Sequence, residues 1–371
     1  MLVKFLKSIL YYLPLRKIIL FESCPDYSDN TKAVFDEMVS RGVNKKYKLV
    51  WLTSTKSSAF KNNRVKSVYI SSRKAKYYVY RSKCIICCNA FITTDNPRQF
   101  RIYLGHGNPL KNTKGYYEIP SSFKFILSSS ESMKNLRNSF YGISKERMFA
   151  LGYPRNDVLT KSTIDLHPLF RQRFDKIIVW YPTVRQFRSG NKTASPHALP
   201  VIWDNRMALE LNECANKNNV LIVLKPHFAQ DTSMFDKNNL SNIVFIDDSF
   251  FRLNNLTSYQ FVGSCDALLT DFSSIYYDYT LCDKPIGLIW EDYNEYEKNP
   301  GFAVDMNYAM KGGVKIYNLN DFKNFISDVA NGVDALADER REIREFANYS
   351  TDGCNSQRVV DFILEKAKIK I

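Results

Sequence analysis

Apolar residues recur along the chain in short runs rich in Ile, Val and Leu, each followed by a stretch in which they return every three or four positions. The first run, "KIILF" at 17–21, reads as a buried strand, and "NTKAVFDEMVSRG" at 30–42 as a helix with Asn30 at its cap. "YKLVWLT" (47–53), "CIICCN", "RIYLGHG" and "FKFILSSS" (123–130) follow as strands, with "SRKAKYYVYRSK" and "ESMKNLRNSF" as helices among them. The second half repeats this grammar with the strands "KIIVWYPT", "NVLIVLKPH", "NIVFID", "DALLTD" and "PIGLIW", and helices between most of them. Strand–helix alternation predicts parallel sheets with helices on both faces. Two such halves predict an α/β protein of two Rossmann-like domains. The polar stretch "LTKSTIDLHPLFRQRFD" (159–175) lacks strand character and marks the division, giving domains 1–165 and 166–371, the last helix being free to pack back on the first.

In such folds ligands gather beyond the carboxyl ends of the strands. His106 and Gly107, Arg185, His227, and Ser273 with Ser274 all come just after predicted strands, so they are expected to face one cleft between two lobes. "LGHGNPLKNTKG" (104–115) sets one of only four histidines between two glycines, at a loop tip rather than on an element face. Taken singly, the other segments are ambiguous. Ser273 and Ser274 offer hydroxyls and backbone N–H groups suited to phosphate, yet serine at a helix start also serves as a cap. Arg185 offers a planar fork for phosphate oxygens, yet arginine is commonly a surface residue. His227, in "LKPHF" after Lys225, reads equally as a packed loop residue or a ligand. "LGYPRND" (151–157), with Arg155 and Asp157 beyond a Tyr153-Pro154 turn, reads first as a structural connection at the lobe edge.

Charge narrows the choice of partner. With 52 Lys and Arg against 38 Asp and Glu, the 371-residue chain carries a formal net charge of +14. That excess calls for an anionic partner: nucleic acid, phosphorylated small molecules or an acidic membrane surface. The basic residues are scattered, and no recognition-helix, zinc-finger or RRM signature is found, which argues against nucleic acid. No apolar run reaches the ~20 residues needed to span a bilayer. "MLVKFLKSILYYLPLRK" carries Lys4, Lys7, Arg16 and Lys17 with no acid, and suits either a basic amphipathic helix on an anionic leaflet or an ordinary packed first helix. The eight cysteines lie mostly in apolar segments; Cys84-x-x-Cys87 has no second pair to complete a zinc site, so buried thiols in a reducing cytosol are expected.

Read together, "HGNPLK", "GYPRND", "YPTVRQ", "KPH" and "LLTDFSSIYYDY…KPI" resemble, in order and spacing, the CDP-glycerol glycerophosphotransferases, the teichoic-acid and capsule primases and polymerases with their CDP-ribitol relatives. "ILFESCPDYSDNTKAVF" and "NYSTDGCNSQRVVDFI" extend the resemblance to both ends of the chain. It implies a GT-B architecture of two Rossmann-like domains around a cleft, held peripherally on the cytoplasmic face of the membrane. The reaction implied is attack by an acceptor hydroxyl on the β-phosphorus of CDP-glycerol or CDP-ribitol, with release of CMP. The acceptor would be a polyprenyl-diphosphate-linked species, a glycan or a growing polymer. His106 matches the family's candidate general base, whose unperturbed pKa of ~6.5 leaves it mostly neutral at cytoplasmic pH. Arg185, His227, Ser273 and Ser274 match the groups on the diphosphate; Gly107, Lys111, Lys225, Thr270 and Asp271 match further substrate-binding positions. Lys111 and Lys114 would steer an anionic acceptor. With these groups neutralising phosphate charge, no obligatory metal or other cofactor is expected.

The chain departs from the family pattern at Asn108, where Thr is usual, by one extra residue in "PLKNTKG", and at Phe272, where Tyr is commoner. No long acceptor-binding module precedes the catalytic segment, which points to a primase or a short-chain capsule enzyme. The alternative is a GT-B glycosyltransferase using a nucleotide sugar. Arg185→Ala is expected to weaken donor binding and turnover together; unchanged donor affinity and rate would remove Arg185 from the diphosphate.

Overall fold

A computed structural model describes residues 13–56, 64–92, 94, 96–112, 118–161, 163–183, 199–227 and 230–371. The chain divides into two compact units: Met1–Gly107, Gly115–Asp157 and Asn348–Ile371 form the first, Asn108–Lys114 and Val158–Ala347 the second.

The first unit is built on seven parallel strands: β1 (Arg16–Glu22), β2 (Lys48–Thr53), β3 (Val65–Tyr69), β4 (Ser82–Cys87), β5 (Phe100–Tyr103), β6 (Phe125–Ser128) and β7 (Met148–Ala150). Their order in the sheet is β3-β2-β1-β4-β5-β6-β7. Successive β1 side chains point to opposite faces. Ile19 and Phe21 join Phe35 and Met38 of helix Asp29–Ser40 and Val360 of helix Asn355–Lys366, whereas Ile18 and Leu20 join Ala75 and Tyr78 of helix Arg73–Arg81. Burial on both faces is why these strands read as unbroken apolar runs.

The second unit carries β8 (Lys176–Tyr181), β9 (Val220–Leu224), β10 (Ile243–Phe245), β11 (Ala267–Thr270), β12 (Ile286–Ile289) and β13 (Val314–Ile316), in the order β10-β9-β8-β11-β12-β13. Ile178, Trp180, Ile222 and Leu269 pack with Leu211 of helix Asn205–Lys217 and with Phe322 and Phe325 of helix Leu319–Ala330. Each sheet therefore winds outward both ways from a central pair, β1/β4 in one and β8/β11 in the other. This is the doubly wound order, with its switch point between the pair.

Three strands escape the apolar pattern, β3, β7 and β13, and all three lie at sheet edges. An edge strand is only partly covered, so it needs no continuous apolar run. Two local expectations are also corrected. Asn30 is not the cap of its helix: the helix begins at Asp29 after Ser28, and Asn30 is fully buried in the first turn. Arg16 opens β1 rather than belonging to a basic N-terminal helix, while Lys17 lies in the strand expected at 17–21; residues 1–12, with Lys4 and Lys7, lie outside the described residues. Among the described residues no helix is long and apolar enough to cross a membrane.

Helix Asn355–Lys366 joins the first unit through the "GYPRND" segment. The Asp157 carboxylate accepts from the backbone N–H of Asn355 and of Ser356, both at 2.8 Å, and so caps this helix from far along the chain. Gly152 has φ +80°, and a Cβ there would lie 2.0 Å from Asn355 Oδ1. Gly152→Ala therefore combines backbone strain with a clash at the helix start. It is expected to lower the thermal midpoint by the equivalent of about 2 kcal/mol or more, and an unchanged melt would contradict this docking.

Candidate active site

In the first unit, β5 ends at Tyr103 and the chain turns through Gly105 at φ +65°, a conformation that favours glycine. His106 follows and remains exposed. Its Nδ1 lies 3.5 Å from Asn89 Nδ2, and the Asn89 Oδ1 accepts the Cys24 N–H at 2.9 Å, which fixes the amide with its donor towards the imidazole. Loss of water to the surrounding protein lowers the His106 pKa below the ordinary 6.5 even though one face stays open. Among its charged neighbours Asp29 opposes this shift, while Arg155 and Arg137 reinforce it. The ring is thus predominantly neutral near pH 7.

Asn89 is itself held by Glu22 at the end of β1. This buried carboxylate accepts from three successive N–H groups of the loop after β4: Cys88 at 3.3 Å, Asn89 at 3.2 Å and Ala90 at 3.0 Å. Burial pushes the Glu22 pKa up, and the three N–H groups pull it back. The neighbouring thiols of Cys84, Cys87 and Cys88 are buried, and burial raises their pKa, keeping them protonated. Among the described residues no group of three or more His, Cys, Asp or Glu could hold a metal ion.

In the second unit, the short segment carrying Lys111 runs antiparallel to residues 301–303, with Asn112 N–H on the Gly301 carbonyl at 2.9 Å and Ala303 N–H on Leu110 at 2.8 Å. The Lys111 Nζ lies 5.3 Å from the centre of the Tyr296 ring. Lys225, just beyond β9, pairs with Asp248 at 3.1 Å. His227 is exposed; partial burial lowers its pKa, and the Lys225 and Lys111 charges add to that shift while Asp248 opposes it. Lys111, Lys225 and His227 therefore share one positive field.

Thr270 ends β11 and Asp271 follows it, both fully buried. The Thr270 hydroxyl donates to the Tyr181 carbonyl at 2.8 Å, and Asp271 Oδ2 accepts both the N–H and the hydroxyl of Thr183 at 2.8 Å. Asp271 thus ties the loop after β11 to the loop after β8, the segment that leads towards Arg185. Ser273 and Ser274 are half-buried, and Ser274, at the start of helix Ile275–Tyr279, makes no side-chain cap bond. That helix has five residues, so its dipole is a small attraction and the hydroxyls are the main polar feature of this turn. Phe272 is buried against Tyr296 at 4.8 Å, Phe302 at 5.2 Å and Trp290 at 5.4 Å between ring centres.

His106 belongs to the first unit with Gly107; Lys111, Lys225, His227, Thr270, Asp271, Ser273 and Ser274 belong to the second. Arg185 and Lys114 lie outside the described residues. Arg137 lies in no motif, and Glu22, Asn30 and Thr183 fall within segments that carry the family resemblance without standing out there, because each acts on a distant loop.

A sequence profile described as CDP-glycerol:poly(glycerophosphate) glycerophosphotransferase matches residues 5–365. The teichoic acid glycerol-phosphate primase of Bacillus subtilis is 22% identical over 97% of this chain and 95% of its own length. The teichoic acid poly(glycerol phosphate) polymerase of Staphylococcus epidermidis is 26% identical over 79% of this chain, which spans only 42% of that protein. Among solved structures, the wall teichoic acid polymerase TagF superposes with a TM-score of 0.75 at 19% identity, over 98% of this chain and 93% of that one. At that identity the likeness is one of fold: the two Rossmann-like α/β units expected from the strand pattern, in the GT-B class that the family resemblance implies.

Proposed function

The chain belongs to the CDP-glycerol:poly(glycerophosphate) glycerophosphotransferase family, and we propose that it transfers glycerol phosphate or ribitol phosphate from a CDP-alditol to an acceptor hydroxyl in the synthesis of a teichoic-acid or capsule-type polymer. The acceptor oxygen attacks the β-phosphorus, the bond from that phosphorus to the bridging oxygen breaks, and CMP leaves. His106 takes the hydroxyl proton. The observation that carries this reading is the placement of His106, an exposed imidazole in the glycine loop just beyond β5, where burial of its surroundings favours the neutral ring that can accept a proton.

The second unit supplies the donor site. Lys111 and Lys225 bring positive charge to the diphosphate, while His227, also lowered in pKa, reaches it as a neutral N–H donor. Ser273 and Ser274 add hydroxyl donors, with the Ser274 side chain free of a capping role. Gly107 leaves room for the acceptor, and Thr270 and Asp271 act by shaping the donor loops. Arg185, after Thr183, completes the set. These cationic and hydroxyl groups supply the charge neutralisation that phosphoryl transfer requires, so no obligatory metal enters the scheme. Solved forms of TagF include one soaked with CDPG, which supports a CDP-alditol donor here. The excess of +14 favours an anionic membrane surface, cytoplasmic and bearing a polyprenyl-linked or polymeric acceptor.

Purified protein given CDP-glycerol or CDP-ribitol with an acceptor is expected to release CMP, whereas release of UDP or GDP from nucleotide sugars would replace this reading with a glycosyltransferase. His106→Ala should lower turnover ~100-fold or more with the fold intact; wild-type turnover would remove its role. The pH profile follows from the sign of the shift. A base with a lowered pKa is active above that value and is lost as pH falls through it, so kcat/KM should be level at neutral pH and halve only below pH 6.5. An acid limb above that value would contradict the assignment.

A further inference from the structure

His106 stands between two peptide carbonyls, and both are tied down from within the first unit. The Gly105 oxygen accepts from Asn30 Nδ2 at 2.9 Å and from the Cys88 thiol at 3.0 Å. The Gly107 oxygen accepts from Arg137 Nη2 at 2.7 Å and from the Tyr153 hydroxyl at 3.1 Å. These donors come from four places: the first turn of helix Asp29–Ser40, the loop after β4, helix Glu131–Tyr141, and the turn after β7.

Neither principal donor is a surface residue. Asn30 is 0% exposed and Arg137 7% exposed. A polar side chain buried this deeply is retained only when its hydrogen bonds are made. Asn30 meets that condition wholly through this region: Nδ2 goes to Gly105, Oδ1 accepts the Arg155 N–H at 3.2 Å, and its own N–H donates to Asp29 Oδ1 at 2.7 Å. Asp29 sits at φ +62° and pairs with Arg155 Nη1 at 2.8 Å. Arg137 donates also to the Tyr153 hydroxyl at 2.7 Å and reaches the Leu127 carbonyl at 3.5 Å.

Two flanking glycines would otherwise leave the His106 backbone with wide freedom. General-base transfer needs the imidazole within hydrogen-bond reach of the reacting hydroxyl, and misplacement by about 1 Å is expensive in rate. We propose that Asn30 and Arg137 are positioning residues for His106, clamping the carbonyls of Gly105 and Gly107 so that a glycine loop presents its imidazole in one orientation. The inference rests on the reading of His106 as the acceptor base, and neither clamp is assigned a contact with substrate. The charged groups facing the ring are Asp29, Arg155 and Arg137, so the clamps and the local field are built from the same side chains.

The test uses full-length protein labelled with 15N-histidine. Only four histidines are present, and the His106 ring signals are assigned by their loss in His106→Gln. In Asn30→Ser and in Arg137→Gln, the His106 ring nitrogens should shift towards a mixture of tautomers. In the same variants kcat should fall ~10-fold or more while KM for CDP-glycerol stays within about twofold, the split expected when alignment rather than donor binding is lost. Arg137→Lys, which keeps a donor for Gly107, should recover part of the rate. Unchanged ring signals in both variants, or a kcat within about twofold of wild type, would overturn the proposal. Should either variant fail to fold, Tyr153→Phe removes a single hydroxyl from the clamp: a smaller shift in the same direction supports it, and no shift overturns it. If His106→Ala itself keeps full turnover, the base reading fails, and the ring signals still decide whether Asn30 and Arg137 orient the imidazole.

Discussion

Where a parallel sheet changes its direction of winding, the two central strands send their chains to opposite faces, and the loops leaving them expose backbone N–H groups that no ladder satisfies. Both units answer this constraint with a buried carboxylate. In the first, Glu22 at the end of β1 gathers three successive N–H groups from the loop after β4. In the second, Asp271 beyond β11 holds the N–H and hydroxyl of Thr183 beyond β8. A carboxylate in such a place is costly to bury, and hydrogen bonds to its charged oxygens offset that cost. The candidate chemistry depends on these two ties. Asn89, on the loop fixed by Glu22, faces the His106 ring, and Thr183, fixed by Asp271, leads towards Arg185.

The two imidazoles show how different surroundings shift identical side chains in the same direction. Both are lowered in pKa, His106 chiefly by the protein around it against the pull of Asp29, and His227 by partial burial joined by the charges of Lys225 and Lys111. A neutral ring with an exposed face suits proton acceptance in the first unit. In the second, a neutral N–H donor set among cations suits an anionic ligand whose charge the lysines balance. Phe272 fits the same economy of polar groups. Its ring is enclosed by Trp290, Tyr296 and Phe302, and a phenol hydroxyl there would have needed a partner of its own.

Helix Asn355–Lys366 and the "GYPRND" turn extend the same logic to the first unit as a whole. Asp157 holds the start of the helix, Tyr153 reaches the Gly107 carbonyl, and Arg155 pairs with Asp29. One short segment thereby links helix Asn355–Lys366, helix Asp29–Ser40 and the histidine loop, and it does so with hydrogen bonds that are partly or wholly buried.

The sequence alone determined the strands that are covered on both faces, the repetition of one doubly wound plan, and the positions of His106, His227, Ser273 and Ser274 just beyond strand ends. These are written within a few residues, as apolar periodicity and turn chemistry. It did not reveal β3, β7 or β13, because edge strands need little apolar surface. Nor did it reveal that Asn30 reaches Gly105 across 75 positions instead of capping its own helix, or that Asp157 caps a helix 198 positions later. Those pairings, like the passage of Asn108–Lys114 into the second unit, depend on which strands become neighbours. A polar side chain finds its partner only after the sheet has brought distant loops together, so the supports of the site belong to the tertiary structure and its reactive groups to the sequence.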